Sequence, residues 1–180
     1  QQVGAPSGRN GAAVAQAIGW TLLLRQIWQR SAIIQAKFKR GSIVLFLLSA
    51  LALSVKFLLQ LGSTVPEISK LAFGFRPIVI AYLHLVLLGV ITIFLLGYLS
   101  ASGFFSTGRM LLNGIITFVG GIFLNELILM IQGIASFSYI GFPFANEVLF
   151  MVSLLMLIGL AMMGFAVFFA IKSSKKKASL

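Results

Sequence analysis

Four apolar runs, each about as long as a bilayer is thick, decide what this chain can fold into. They cover Ser42–Leu61, Pro77–Leu99, Met110–Gly133 and Val148–Ile171. A hydrocarbon core of ~30 Å takes about 20 helical residues to cross, and each run supplies them. Inside lipid every backbone N–H and C=O must find its partner within a helix or a closed barrel. Barrel strands alternate apolar and polar residues, whereas Leu83–Leu88 is apolar apart from His84. The pattern predicts an all-α fold, a polytopic transmembrane helix bundle with four spans.

Composition then removes most soluble activities. Only 9% of residues are charged and 59% are apolar, against about 25% charged in a soluble domain. The net charge of +11 comes from 14 basic and 3 acidic side chains. The basic residues flank the spans and form no face interleaved with aromatics. Lipid headgroups are therefore the expected partner, and nucleic acid is not. With no cysteine and one histidine, disulfides, thiolate metal sites and cysteine nucleophiles are excluded, and no self-contained metal centre is expected. Phosphate loops, dinucleotide fingerprints and acyl-transfer triads are absent as well. These absences point away from this chain acting as an enzyme alone, and they leave the question open.

The chain divides into four units. Residues 1–11 are rich in Gly, Pro, Ser and Asn and are expected to be flexible. Residues 12–40 carry Ile18, Leu22, Leu23, Ile27, Ile34 and Phe38 near helical spacing, interrupted by Arg25, Gln26, Gln29, Arg30 and Lys37. That predicts an N-terminal amphipathic cytoplasmic interfacial helix, with Trp20 and Trp28 at headgroup level. The alternative makes Ala12–Leu24 the tail of a span that begins upstream, and the opening Gln1 is consistent with missing upstream residues. Residues 41–171 form the four-helix transmembrane domain, and 172–180 a basic cytoplasmic tail. The uncharged segment Gly133–Asn146 reads as an external interfacial loop, or alternatively as a re-entrant segment. Gly120, Gly121, Gly159 and Gly164 are expected where spans approach closely.

Charge sets the expected orientation. Arg25, Arg30, Lys37, Lys39 and Arg40 precede the first span, Arg109 separates the second and third, and Lys172 and Lys175–Lys177 follow the fourth. Only Lys70 and Arg76 fall on the other side. The positive-inside rule puts both termini in the cytoplasm, in a membrane expected to be the bacterial inner membrane.

Among the polar side chains inside the apolar runs, five are singled out as an intramembrane cluster: Lys56, His84, Asn125, Glu126 and Gln132. A charge at mid-bilayer costs about 2.5–3.5 kcal/mol on insertion scales, so such groups face a bundle interior or a cavity. Counting ~1.5 Å per residue puts Lys56, His84 and Glu126 at one level, roughly 10 Å from the outer ends of their spans. They read either as a structural polar cluster or as a proton relay.

The run Phe73-Gly74-Phe75-Arg76-Pro77-Ile78-Val79-Ile80-Ala81-Tyr82-Leu83-His84-Leu85-Val86-Leu87-Leu88-Gly89, with Gly121–Glu126 and Met130–Gly133, resembles the C-terminal half of uncharacterised multi-span membrane proteins of the Bacteroidetes. The similarity covers about Gly41–Ile171. Leu83-His84-Leu85 with Leu87-Leu88-Gly89 is faintly similar to a histidine-bearing helix of haem-copper oxidase catalytic subunits. That resemblance implies His84 as a haem ligand, with the other ligands supplied by a partner chain or an upstream half. Three functions stay open: a structural or accessory subunit, or C-terminal fragment, of a larger membrane assembly with other membrane chains as partners; part of a haem-binding redox protein; and a proton-coupled transporter fragment.

Overall fold

A computed structural model describes residues 6–66, 69–70, 74–105, 108–137 and 143–178. The described residues form α1 (Pro6–Gln29), α2 (Ser31–Lys37), α3 (Arg40–Gly62), α4 (Arg76–Ala101), α5 (Arg109–Phe137) and α6 (Ala145–Ala178), with no strand among them. Helices α3 to α6 are each long and apolar enough to cross a membrane. The breaks follow local chemistry. Pro77 lies in the first turn of α4, where its missing N–H is no loss. Gly103 adopts φ +75° just after α4 ends, a backbone conformation that glycine takes without steric penalty.

The helices stack in a row, α1 on α3, α3 on α4, α4 on α5 and α5 on α6. In hydrocarbon there is no hydrophobic drive to join two helices, so close backbone approach and hydrogen bonds must do it. Glycines supply that approach at two seams. A Cβ on Gly89 would stand 3.2 Å from Ala52 Cβ, and one on Gly97 would stand 3.2 Å from Leu45 Cβ. Between α5 and α6 the fit is tighter. Gly114 faces Met163 and the Gly159 carbonyl, Gly121 faces Met156, and Gly159 lies against the backbone of Phe118. Gly121 and Gly159 thus occupy the close contacts that their sequence suggested. Gly120 and Gly164 face open space instead, and Gly114 takes a place that the pattern did not single out.

The buried cluster Leu45, Ile93, Leu96, Leu111, Phe118, Ile122 and Met163 draws on all four long helices. It gathers in the half of the bundle that holds the first turns of α3 and α5 and the last turns of α4. Side chains such as Leu51, Leu58, Leu87, Phe123 and Phe165 are exposed on the outside, as lipid-facing residues are.

Three boundaries differ from the sequence expectation. Helix α1 starts at Pro6, inside the stretch expected to be flexible, because proline is well suited to a first helical turn. Helix α6 runs on to Ala178, so Lys175–Lys177, within the expected basic tail, continue the helix of the last span. At ~1.5 Å per residue α6 is about 50 Å long, enough to cross the core and project beyond it. Helix α5 runs to Phe137, which places the start of the expected loop, from Gly133, on a helix. Residues 138–142, where a re-entrant turn would fall, lie outside the described residues.

The expected interfacial segment over 12–40 is two helices broken at Arg30, and α1 packs along α3. Trp20 Nε1 donates to Ser54 Oγ at 2.9 Å, the rings of Trp20 and Phe57 lie 5.9 Å apart, and Gln60 Nε2 donates to Gln16 Oε1 at 2.8 Å. Residue number rises along α1 as it falls along α3, so the two run antiparallel. Ser54 is eight residues inside the end of α3, roughly 12 Å. A helix lying flat at the cytoplasmic surface would meet α3 near Arg40 and not here. The reason lies in which face is apolar: Ala13 is buried against the bundle while Val14, Ile18 and Leu22 point outward. That outward apolar face shows the same periodicity in both arrangements.

Candidate functional site

The polar residues of the spans divide between two seams. On α5, Ile122, Leu129 and Gly133 are buried together with the half-buried Glu126. Their spacing of four, three and four puts them on one face. That face meets α4, since a Cβ on Gly133 would lie 3.4 Å from Ile78 Cγ1. From this contact His84 lies six residues along α4 and Glu126 seven residues back along antiparallel α5. Both are therefore about 10 Å from the paired positions, at one depth. The two side chains lie within electrostatic reach of each other, and the Asn125 amide lies beside the Glu126 carboxylate.

None of these three is fully satisfied. Glu126 Oε1 and Asn125 Nδ2 are buried and have no hydrogen-bond partner among the described residues. The Asn125 amide sits close to its neighbour's carboxylate yet outside hydrogen-bond geometry. Asn125 is on the face shared by Phe118 and Gly121, which packs on α6, and is 8% exposed. His84 Nδ1 lies 2.9 Å from the Ile80 carbonyl. A carbonyl only accepts, so Nδ1 carries the proton and Nε2 is left free to accept or bind.

The chain changes helical winding directly after His84. Leu85–Thr92 is π-helical, and Thr92 Oγ1 donates to the Leu87 carbonyl five residues back at 2.9 Å. Ser49 of α3, 4% exposed, donates to the Val90 carbonyl at 2.9 Å. This bond pins the widened segment to α3. The first part of α4 meets α5 and its last part meets α3, so the π segment is where α4 passes from one neighbour to the other. Segments of this kind often occur at functional sites.

Lys56 belongs to the other seam. By register from Ala52 and Gly89 it sits level with Leu85, at the depth expected of it. Its Nζ, however, donates to Gln60 Oε1 at 2.6 Å and lies 4.6 Å from the Phe57 ring centroid. Gln60 continues to Gln16, so Lys56 is bound into the α1–α3 contact and not paired with Glu126. Gln132 is half-buried on the α6 side of α5 and six residues outward of Glu126, away from His84. The α1–α3 network of Gln16, Trp20, Ser54 and Gln60 was not anticipated. Gln60, one helical turn from Lys56, was its one legible signal.

Among the described residues no three His, Cys, Asp or Glu side chains come together as a metal site. His84 offers one imidazole, and the chain holds no second histidine and no cysteine.

Fold and site together define a multi-pass, all-helical integral membrane protein with a polar seam between two of its spans. No protein-family model, curated protein or solved structure matches the chain.

Proposed function

We propose that this chain is a structural or accessory subunit of a larger membrane assembly, seated in a bacterial inner membrane. The observation that carries this reading is the open row of helices. Among the described residues, α6 packs on α5 and makes no comparable interface with α1 or α3, and α1 packs chiefly on α3. A row that does not close offers two free flanks to other membrane chains. A photo-crosslinking residue at Leu157, on the exposed side of α6, is expected to yield adducts with a second polypeptide in native membranes. Adducts with lipid only would overturn the reading.

The charge asymmetry supports a cytoplasmic location for Arg109 and the lysines after α6. The packing of α1 favours the opposite side for the amino end, since antiparallel α1 carries Pro6 toward the level of Gly62. An impermeant maleimide added from outside is expected to label Gly11→Cys and Asn146→Cys but not Lys172→Cys. Labelling of Lys172→Cys alone would invert the topology. Labelling of Gly11→Cys only from the cytoplasm would restore an inner amino end.

A further inference from the structure

We propose that His84 and Glu126 form an intramembrane proton-binding site, in which one proton is held between His84 Nε2 and a Glu126 carboxylate oxygen. Three observations converge on it. The two residues share one depth across the α4–α5 seam, fixed by the contact of Ile78 with Gly133. The Ile80 carbonyl holds the Nδ1 proton, so the neutral ring can engage a proton only through Nε2. Glu126 Oε1 is buried without a protein partner, and so is the Asn125 amide nitrogen beside it.

The chemistry balances without any further reactant. From the neutral pair, the carboxylic O–H bond breaks, its electrons stay on the carboxylate, and the proton forms an N–H bond at Nε2. The seam then holds carboxylate and imidazolium with no net change in charge. Loss of that proton to water leaves a carboxylate beside a neutral ring. Asn125 Nδ2 is placed to donate to that carboxylate after a small rotation. This site therefore takes up and releases one proton in a place where an isolated charge would be costly.

Few other groups titrate against it. On α4 the nearest are Tyr82, half-buried one turn from Ile78 and so also toward α5, and Arg76 at its outer end. At its outer end helix α6 brings Glu147, exposed in its first turn, and its lysines lie at the opposite end. Lys56 of α3 is engaged by Gln60. Among the described residues, His84 is thus the titratable group that acts on the Glu126 carboxylate.

The single histidine makes the test clean. In the full chain, reconstituted in lipid vesicles and labelled with ¹⁵N-histidine, the ring is expected to show its proton on Nδ1 at high pH and to gain one at Nε2 on acidification. Glu126→Gln keeps the shape but removes the anion, and is expected to lower the midpoint of that change by about one pH unit or more. In the reverse arm, dicyclohexylcarbodiimide, which adds to protonated carboxyls in apolar surroundings, is expected to modify Glu126. In His84→Gln that labelling is expected to persist to higher pH, because no imidazolium favours the carboxylate. If neither variant moves its partner's pH dependence, the two groups are independent and the proposal fails. It also fails if sodium at constant pH protects Glu126 from the carbodiimide, since the seam would then bind a metal cation.

Discussion

Replacing Gly159 by alanine is expected to separate α6 from α5. The new Cβ would stand 2.7 Å from the Phe118 backbone nitrogen and 2.9 Å from its Cα. Neither atom can move without moving α5 itself. Overpacking typically costs about 1–3 kcal/mol and sometimes more. The backbone contact puts Gly159→Ala at the upper end, about 3 kcal/mol of lost stability. The SDS-denaturation midpoint in mixed micelles measures it. Gly121→Ala is expected to cost less although its Cβ would come within 2.5 Å of Met156 Cγ, because a methionine side chain can change rotamer. Gly120→Ala, with nothing within 4 Å, is expected to leave stability unchanged or slightly raised, since alanine is the better helix former. Equal losses at all three positions would mean that close approach is not what joins these helices.

Glu126→Leu is expected to act in the opposite direction and make the bundle more stable. Most substitutions inside a packed protein destabilise it. Here the native side chain is a half-buried acid whose Oε1 has no partner among the described residues, on a helix face that otherwise carries Ile122, Leu129 and Gly133. Leucine removes that polar group and fills the seam between Ile122 and Leu129. On insertion scales a mid-span charge costs about 2.5–3.5 kcal/mol. Because Glu126 can be protonated and lies within electrostatic reach of His84, a gain of about 2 kcal/mol is expected. The same denaturation assay reads it, with Glu126→Gln close to the wild type because the amide keeps the shape and the polarity. A loss of stability in Glu126→Leu would mean that the carboxyl holds the helices together, which is the structural reading of the cluster. A residue whose removal strengthens the fold is one kept for another purpose.

How much of this could be read in advance depended on the kind of force involved. The existence and approximate limits of α3 to α6 follow from a one-dimensional property, the length of uninterrupted apolar sequence measured against bilayer thickness. The shared depth of His84 and Glu126 follows from counting residues along those helices. Partnership does not follow from depth. Lys56 is level with His84 and has the charge to pair with Glu126, yet it reaches Gln60, because its helix places that amide one turn away and turns toward α1. The α1–α3 contact was not legible in the sequence for a related reason. Trp20 and Gln16 look like interfacial residues on a helical wheel, and only the position of Ser54 and Gln60 on a neighbouring helix makes them bundle-facing.

The π-helical turn at Leu85–Thr92 left no mark in the residue pattern. It depends on what α4 meets on either side, α5 before it and α3 after it, and on the Ser49 hydroxyl that donates to the Val90 carbonyl. Helix-forming chemistry and hydrophobic length are local, so this chain's sequence by itself determined that it is helical, membrane-spanning and cut into four long segments. Which glycines touch a neighbour, which polar groups meet and which are left unpartnered depend on rotation and register between helices. Those were decided only when the helices packed, because in lipid the energy that joins them comes from contact geometry and not from burial.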